Sequence, residues 1–188
     1  MATPERLIEA TRALLWERGY AGTSPKAILQ RSGVGVGSMY HHFDGKAGLA
    51  RAATERSAQE LMDAAEAHFS GPGPATRRIA SYLLRERDVL RGCPVGRLAM
   101  DPDVVENPRL RAPLDELFGW LRTRLADLVE EARSAGEIDA RLDPQAVGAT
   151  LAAVVQGGYV MARSAESTEP FEAAVRGALQ LIGYEGDG

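Results

Sequence analysis

"GVGVGSMYHHF", residues 33–43, decides how the rest of the chain is read. As a dinucleotide fingerprint it fails, because that motif needs G-x-G-x-x-G after a strand. Counted from Gly33 the sixth position is Ser38, counted from Gly35 it is Tyr40, and helical signals flank both. As a metal site it fails too. Adjacent His41 and His42 diverge by about 100° on a helix, and no cysteine or acid cluster stands nearby to complete a tetrahedron. Laid on a helix, Val36, Met39 and Phe43 form the inner face, while Gly37, Ser38, Tyr40 and His41 fall on the outer arc with His42 at its border. With Gly35 as N-cap, Val34 and Met39 take hydrophobic-staple spacing. Small residues let such a helix approach a groove, Ser and His reach base edges, and a Tyr hydroxyl donates to phosphate. A short core helix whose polar face simply meets water fits these eleven residues equally well, so the neighbours decide.

Upstream, Thr3-Pro4 predicts a helix start with threonine as N-cap, and Leu7, Ile8, Thr11, Leu14 and Leu15 follow at helical spacing up to Gly19. Ser24-Pro25 starts a second helix, which carries Ala27, Ile28 and Leu29 inward and ends at Gly33. Two helices joined by a tight glycine turn, the second presenting small and polar residues, form a helix-turn-helix arrangement. Asp44 caps a long fourth helix over about 46–68, and "SGPGP" (70–74) breaks the chain. Beyond it the pattern predicts helices over about 75–91, a short one through Met100, a proline-bounded connection "DPDVVENP", then helices over about 109–135, 144–163 and 169–182. The 109–135 helix carries Leu110, Leu114, Leu117, Phe118, Leu121, Leu125, Leu128 and Val129 on one stripe, with Trp120 off it. Segment 144–163 is apolar on nearly every side. No strand signal and no internal repeat is present. The chain reads as all-α, with about nine helices: a three-helix head over 1–46 and a larger helical domain over 47–188.

Composition narrows the function classes. The 188 residues are 45% hydrophobic, enough to bury a real core, and no run approaches a membrane span. "MATPERLIEATRALLWERGY" is interrupted by charges and does not read as a signal peptide, and a single cysteine, Cys93, fits a reducing compartment. A cytoplasmic protein without membrane partners is expected. Residues 1–46 hold six Lys/Arg (Arg6, Arg12, Arg18, Lys26, Arg31, Lys46) against four acids (Glu5, Glu9, Glu17, Asp44), a balance of +2 in a chain of -4, so the remainder carries -6. A mildly basic head on an acidic body suits a small reader of an anionic surface. No nucleophile elbow, metal quartet or paired catalytic motif occurs, and His68 near Asp63 or Glu66 reads as a surface histidine at a helix end. No catalytic residue, metal or cofactor is expected, and the chain is not expected to be an enzyme.

"LIEATRALLWERGYAGTSPKAILQRSGVGVGSMYHHFDGKAGL" (7–49) resembles the DNA-binding domain of the TetR family of bacterial transcriptional regulators, over roughly residues 4–50 without gaps. Gly35 and Val36 stand where the family's recognition helix usually opens with Ser or Thr and a polar or basic residue. The resemblance implies that Thr23 or Ser24 and Lys26 touch phosphate at the start of the second helix. Gly37, Ser38 and His41 face bases, and Tyr40 and Lys46 hold phosphates of double-stranded DNA. A homodimer on a palindromic operator is implied, with Val147, Leu151, Val154 and Val155 of the 144–163 helix and Phe171, Val175 and Leu179 of the last helix at the interface. Gly148, Ala149, Ala152, Ala153 and Gly157 permit close approach there. The middle helices are implied to bind a small-molecule effector, apolar or amphipathic, through Tyr82, Leu98, Met100, Phe118, Leu121, Gln156 and Tyr159. The regulator would be a repressor. Two alternatives stay open: a small-molecule receptor that has lost DNA binding, and a thiol-based redox regulator acting through Cys93. The latter rests on "RGCPVGRLAMD" (91–101), similar to a Gly-Cys-x-x-Gly element of one subgroup, and its competitor is a buried cysteine packed as a small hydrophobe.

Overall fold

The structure is a computed structural model that describes residues 2–184. Among them the elements are α1 (Thr3–Arg18), α2 (Pro25–Ser32), α3 (Val36–His42), α4 (Gly45–Phe69), α5 (Ala75–Leu84), a 3-10 helix (Gly96–Met100), α6 (Pro102–Val105), α7 (Pro108–Ser134), α8 (Pro144–Ala165) and α9 (Glu169–Leu181). The described residues contain no strand, and the all-α reading holds. They divide into two compact units: Met1–Glu60 with Cys93–Leu117, and Leu61–Gly92 with Phe118–Gly188.

Local signals place the first three helices. Gly19 ends α1 at φ 74°, a left-handed angle that costs glycine little. Ser24 caps α2: its backbone is extended and its hydroxyl accepts from the Ala27 N–H at 3.2 Å. Gly33 closes α2 in the left-handed conformation (φ 62°, ψ 26°), its N–H donating to the Leu29 carbonyl at 3.0 Å. Thr3 is not a cap. Ala2 holds the extended N-cap position without a side-chain bond, so Thr3 is already the first helical residue. Leu7, Leu14, Ile28, Val34, Met39 and Leu49 form the core of the first unit, with Val34 and Met39 buried together as the staple spacing requires. Arg12 ties α1 to α4 by ion-pairing with Glu60 and donating to the Ser57 hydroxyl at 3.0 Å.

The second unit packs α5, α8, α9 and the later part of α7 around Phe69, Ile79, Leu83, Leu125, Leu128, Leu151 and Phe171. Gly148 brings α8 against the backbone of α7, where a Cβ would stand 2.7 Å from the Ala126 nitrogen. Arg124 of α7 binds Glu66 of α4 through two hydrogen bonds, at 2.8 and 3.0 Å. Two boundaries differ from the sequence reading. Helix α5 stops at Leu84 rather than near residue 91, because the Arg87 guanidinium takes the carbonyls of Tyr82 and Leu83 and so satisfies the last turn early. The "DPDVVENP" connection holds the short α6, opened by Pro102 and stopped before Pro108.

Candidate nucleic-acid interface

Helix α3 follows α2 after a turn of three residues, and the turn is fastened from behind. The Arg6 guanidinium on α1 donates to the Ser32 carbonyl at 2.6 Å and to that of Gly33 at 3.4 Å. These are carbonyls that the end of α2 leaves unpaired. Gly35 is the N-cap with extended backbone, and the helix ends when the Phe43 N–H donates to the Met39 carbonyl at 2.9 Å. Met39 is fully buried and pins the helix. On the other side Gly37, Tyr40, His41 and His42 are exposed, and Ser38 is half-buried. A shallow, open depression lined by Tyr40, His41, His42, Phe43, Asp44 and Gly45 lies at its end.

Val36 departs from its expected place. It is 58% exposed, and only Met39 and the half-buried Phe43 of the expected inner face contribute to the core. As the first helical residue it lies ahead of the turn that the core covers.

Of the expected phosphate contacts, Ser24 and Lys26 are exposed at the start of α2. Thr23 is not: it is 1% exposed, and its hydroxyl donates to the Gly19 carbonyl at 2.7 Å. Its hydroxyl is taken up inside the α1–α2 loop, and of the pair Ser24 is the exposed one. Lys46 is half-buried, with its ammonium 3.8 Å from the centroid of the Tyr20 ring, a cation–π placement at the first turn of α4.

Three residues that shape this surface escaped the sequence reading. Arg6 fastens the turn, Tyr20 seats Lys46, and Asp101 accepts from the Ala21 N–H at 2.8 Å, bracing the α1–α2 loop. Burial, then Asp103 and Asp101, push the Tyr20 phenol above its usual range. All three act across long sequence separations, so no local pattern marks them.

The expected effector residues are divided between the two units. Tyr82 and Leu121 are core residues of the second unit, where Phe118, Gln156 and Tyr159 are half-buried. Phe69 stacks there with Tyr82 at 4.8 Å and Trp120 at 6.0 Å between ring centroids, and the guanidiniums of Arg85 and Arg87 lie 5.3 and 5.4 Å from the Tyr82 ring. Leu98 and Met100 belong to the first unit. Leu98 is buried, but Met100, two residues on in the tight 3-10 turn, points about a third of a turn away from it and is 79% exposed. Cys93 is buried, and its sulfur accepts from the Gly96 N–H at 3.2 Å. The turn it faces starts at Gly96.

The expected dimer residues are mostly turned inward. Leu151, Val155, Phe171, Val175 and Leu179 are buried in their own protomer, whereas Val147 and Val154 are partly covered. The outward faces carry other residues: Ala153, Gly157, Val160 and Met161 on α8, and Ala173 and Leu181 on α9. Around Gly157 and Gly177 a Cβ would meet nothing within 4 Å. Among the described residues, no group of three or more His, Cys, Asp or Glu is placed to hold a metal, and no helix is long and apolar enough to cross a membrane.

Comparison with known proteins bears on this geometry. Residues 7–53 match the family model described as "Bacterial regulatory proteins, tetR family". Residues 76–178 match that described as "Tetracyclin repressor-like, C-terminal domain". The chain is 29% identical over 181 residues to the transcriptional regulator AcuR of Cereibacter sphaeroides, covering 92% of this chain and 81% of that one. It is 27% identical over 175 residues to the HTH-type transcriptional regulator LmrA of Bacillus subtilis, covering 88% and 89%. Among solved structures, a regulatory protein TetR from Rhodobacter sphaeroides superposes with a TM-score of 0.84 at 26% identity, covering 94% of this chain and 96% of that one.

Proposed function

The chain belongs to the TetR family of bacterial regulatory proteins and is a helix-turn-helix transcriptional regulator; from that premise we propose that it represses transcription as a homodimer on a palindromic operator and is released by a small apolar or amphipathic effector. The observation that carries the proposal is α3: pinned by Met39, fastened through Arg6, and bare or polar on its outer side apart from Val36. Tyr40 and Lys26 are the phosphate anchors, and Gly37, Ser38 and His41 meet the base edges.

One such helix with few phosphate contacts binds weakly and with little sequence preference, so two heads are needed at half-sites about one helical turn, or a multiple, apart. The exposed small and apolar residues of α8 and α9 support pairing there, since Gly157, Ala153, Ala173 and Gly177 permit close helix approach and Met161 and Leu181 supply apolar area. The effector role is supported by the aromatic cluster of the second unit, where two guanidiniums beside Tyr82 favour an amphipathic molecule over a purely apolar one. Such a molecule releases DNA only by preferring a conformation in which the recognition helices are mis-spaced.

The test is a titration of the protein against labelled duplex from its own upstream region at two salt concentrations, beside Tyr40→Ala. Tight binding to a palindromic segment, resistant to scrambled competitor and weakened in the variant, is the expected result. Equal weak binding to both sequences, indifferent to the variant, would refute the operator reading.

A further inference from the structure

Among the described residues up to position 60, two large apolar side chains are exposed, Val36 at 58% and Tyr40 at 61%. They stand one turn apart on α3 and are therefore neighbours on one face. Tyr40 has a phenol for phosphate. Val36 has no polar group, and it takes no part in the core that buries Met39. Its flanking residues, Gly35 and Gly37, have open space where a Cβ would stand, so the backbone on both sides of the half-open valine is bare. Helix α3 also carries no lysine or arginine. It therefore lacks the bidentate donor that most often selects guanine.

Of the groups that base pairs present in the major groove, thymine alone offers an apolar one, its 5-methyl. An isopropyl group pressed against any other edge covers a donor or acceptor without replacing its hydrogen bond to water, which is unfavourable. We propose that Val36 reads the 5-methyl group of a thymine in each operator half-site, the glycines beside it allowing α3 to come close enough for contact. The inference rests on the DNA-reading role proposed above and adds the base that the helix selects.

The experiment starts from the full-length protein and a pool of random duplexes, from which bound sequences are selected. Each thymine of the recovered site is then replaced singly by deoxyuridine, which removes only the methyl group. Wild type is compared with Val36→Ala, and with Val36→Ser as a second variant; the exposed position leaves the core untouched, which circular dichroism checks. One thymine per half-site is expected to matter, its replacement weakening wild-type binding about fourfold, the value of one buried methyl-sized group, and replacement in both half-sites roughly fifteenfold by the same reckoning. Both variants should bind the thymine and deoxyuridine duplexes alike. A selected site at which every thymine can be replaced without loss, or at which the loss persists in both variants, overturns the Val36 inference and leaves the DNA-reading role standing. Failure to enrich any sequence overturns both.

Discussion

Gly148→Ala and Gly119→Ala are the same chemical change in two long helices, and the structure requires opposite outcomes. At Gly148 an added Cβ would lie 2.7 Å from the Ala126 nitrogen, 2.9 Å from its Cα and 3.0 Å from the Arg122 carbonyl oxygen. All three are backbone atoms of α7, so no side chain can swing aside. Helix α8 must instead retreat by several tenths of an ångström, and it takes with it Leu151 and Val155, which are buried in the core of the second unit. Overpacking of this kind costs about 1–3 kcal/mol, with rigid backbone toward the upper end. The helix-propensity gain of alanine over glycine, about 1 kcal/mol, offsets part of it. Gly119 lies inside α7 with nothing within 4 Å of a Cβ, so only the propensity gain applies and Gly119→Ala stabilises by about 0.5–1 kcal/mol.

The two variants should therefore differ by about 2–3 kcal/mol, a separation of roughly 4–12 °C in Tm for a chain of this size. Urea titration followed by far-ultraviolet circular dichroism measures the difference at constant m. Adding Ala126→Gly to Gly148→Ala separates causes, because the clash is with the nitrogen and Cα that glycine retains. If Gly148→Ala proved as stable as Gly119→Ala, or if Ala126→Gly restored it, the backbone contact between α7 and α8 would not be what Gly148 serves.

Other expectations follow from the same geometry. Gly33→Ala should cost about 1–2 kcal/mol for a left-handed alanine, and Gly33→Asn less; equal melting temperatures for the two would refute the assignment of that strain. Glu137 caps α5 from outside, accepting from the Ala75 and Thr76 N–H groups and the Thr76 hydroxyl. Burial opposes its charge, but these bonds outweigh it and hold its carboxyl below the ordinary range. The stability lost in Glu137→Ala, about 1 kcal/mol as for a helix cap, should thus be full above the ordinary glutamate pKa of about 4.3 and vanish as pH falls through the lower folded value; a difference independent of pH would count against the charged cap. Met161→Glu places a charge on the exposed face of α8 and should lower the association state in sedimentation without lowering helix content, and an unchanged dimer would move the interface elsewhere.

What the sequence made legible was local. Ser24-Pro25, Gly19 and Gly33 act on backbone groups within a few residues, so their chemistry could be read in order along the chain and located the helix-turn-helix correctly. Long-range partners had no such signature: Glu137 capping α5, Asp101 bracing Ala21 and Arg6 fastening Ser32 connect residues 26 to 80 positions apart. On α8 the periodicity announced two apolar faces but not which one turns inward. The large residues Leu151 and Val155 go to the protomer's own core because Gly148 lets α7 close on that side. The outward side carries Ala153 and Gly157 but also Val160 and Met161, so neither size nor hydrophobicity alone told the two faces apart. Val36 failed for a related reason: a helical wheel assigns direction but not whether anything stands there to cover the residue.

The ion pairs change what the charge of the head means. Its +2 balance looked like an electrostatic footprint for DNA, yet Arg12 is paired with Glu9 and Glu60, Arg31 with Glu17, and Arg6 is bonded to the carbonyls of the turn. These cations hold the scaffold together, and exposed pairs of this type contribute little individually to stability. The charge presented outward falls to Arg18 at the end of α1, Lys26 at the start of α2 and Lys46 seated on Tyr20. Non-specific affinity comes almost wholly from phosphate neutralisation, so a head built this way holds arbitrary DNA weakly. On the proposed reading, discrimination then comes from contact of the glycine, valine, serine and histidine side of α3 with base edges and from two heads acting together.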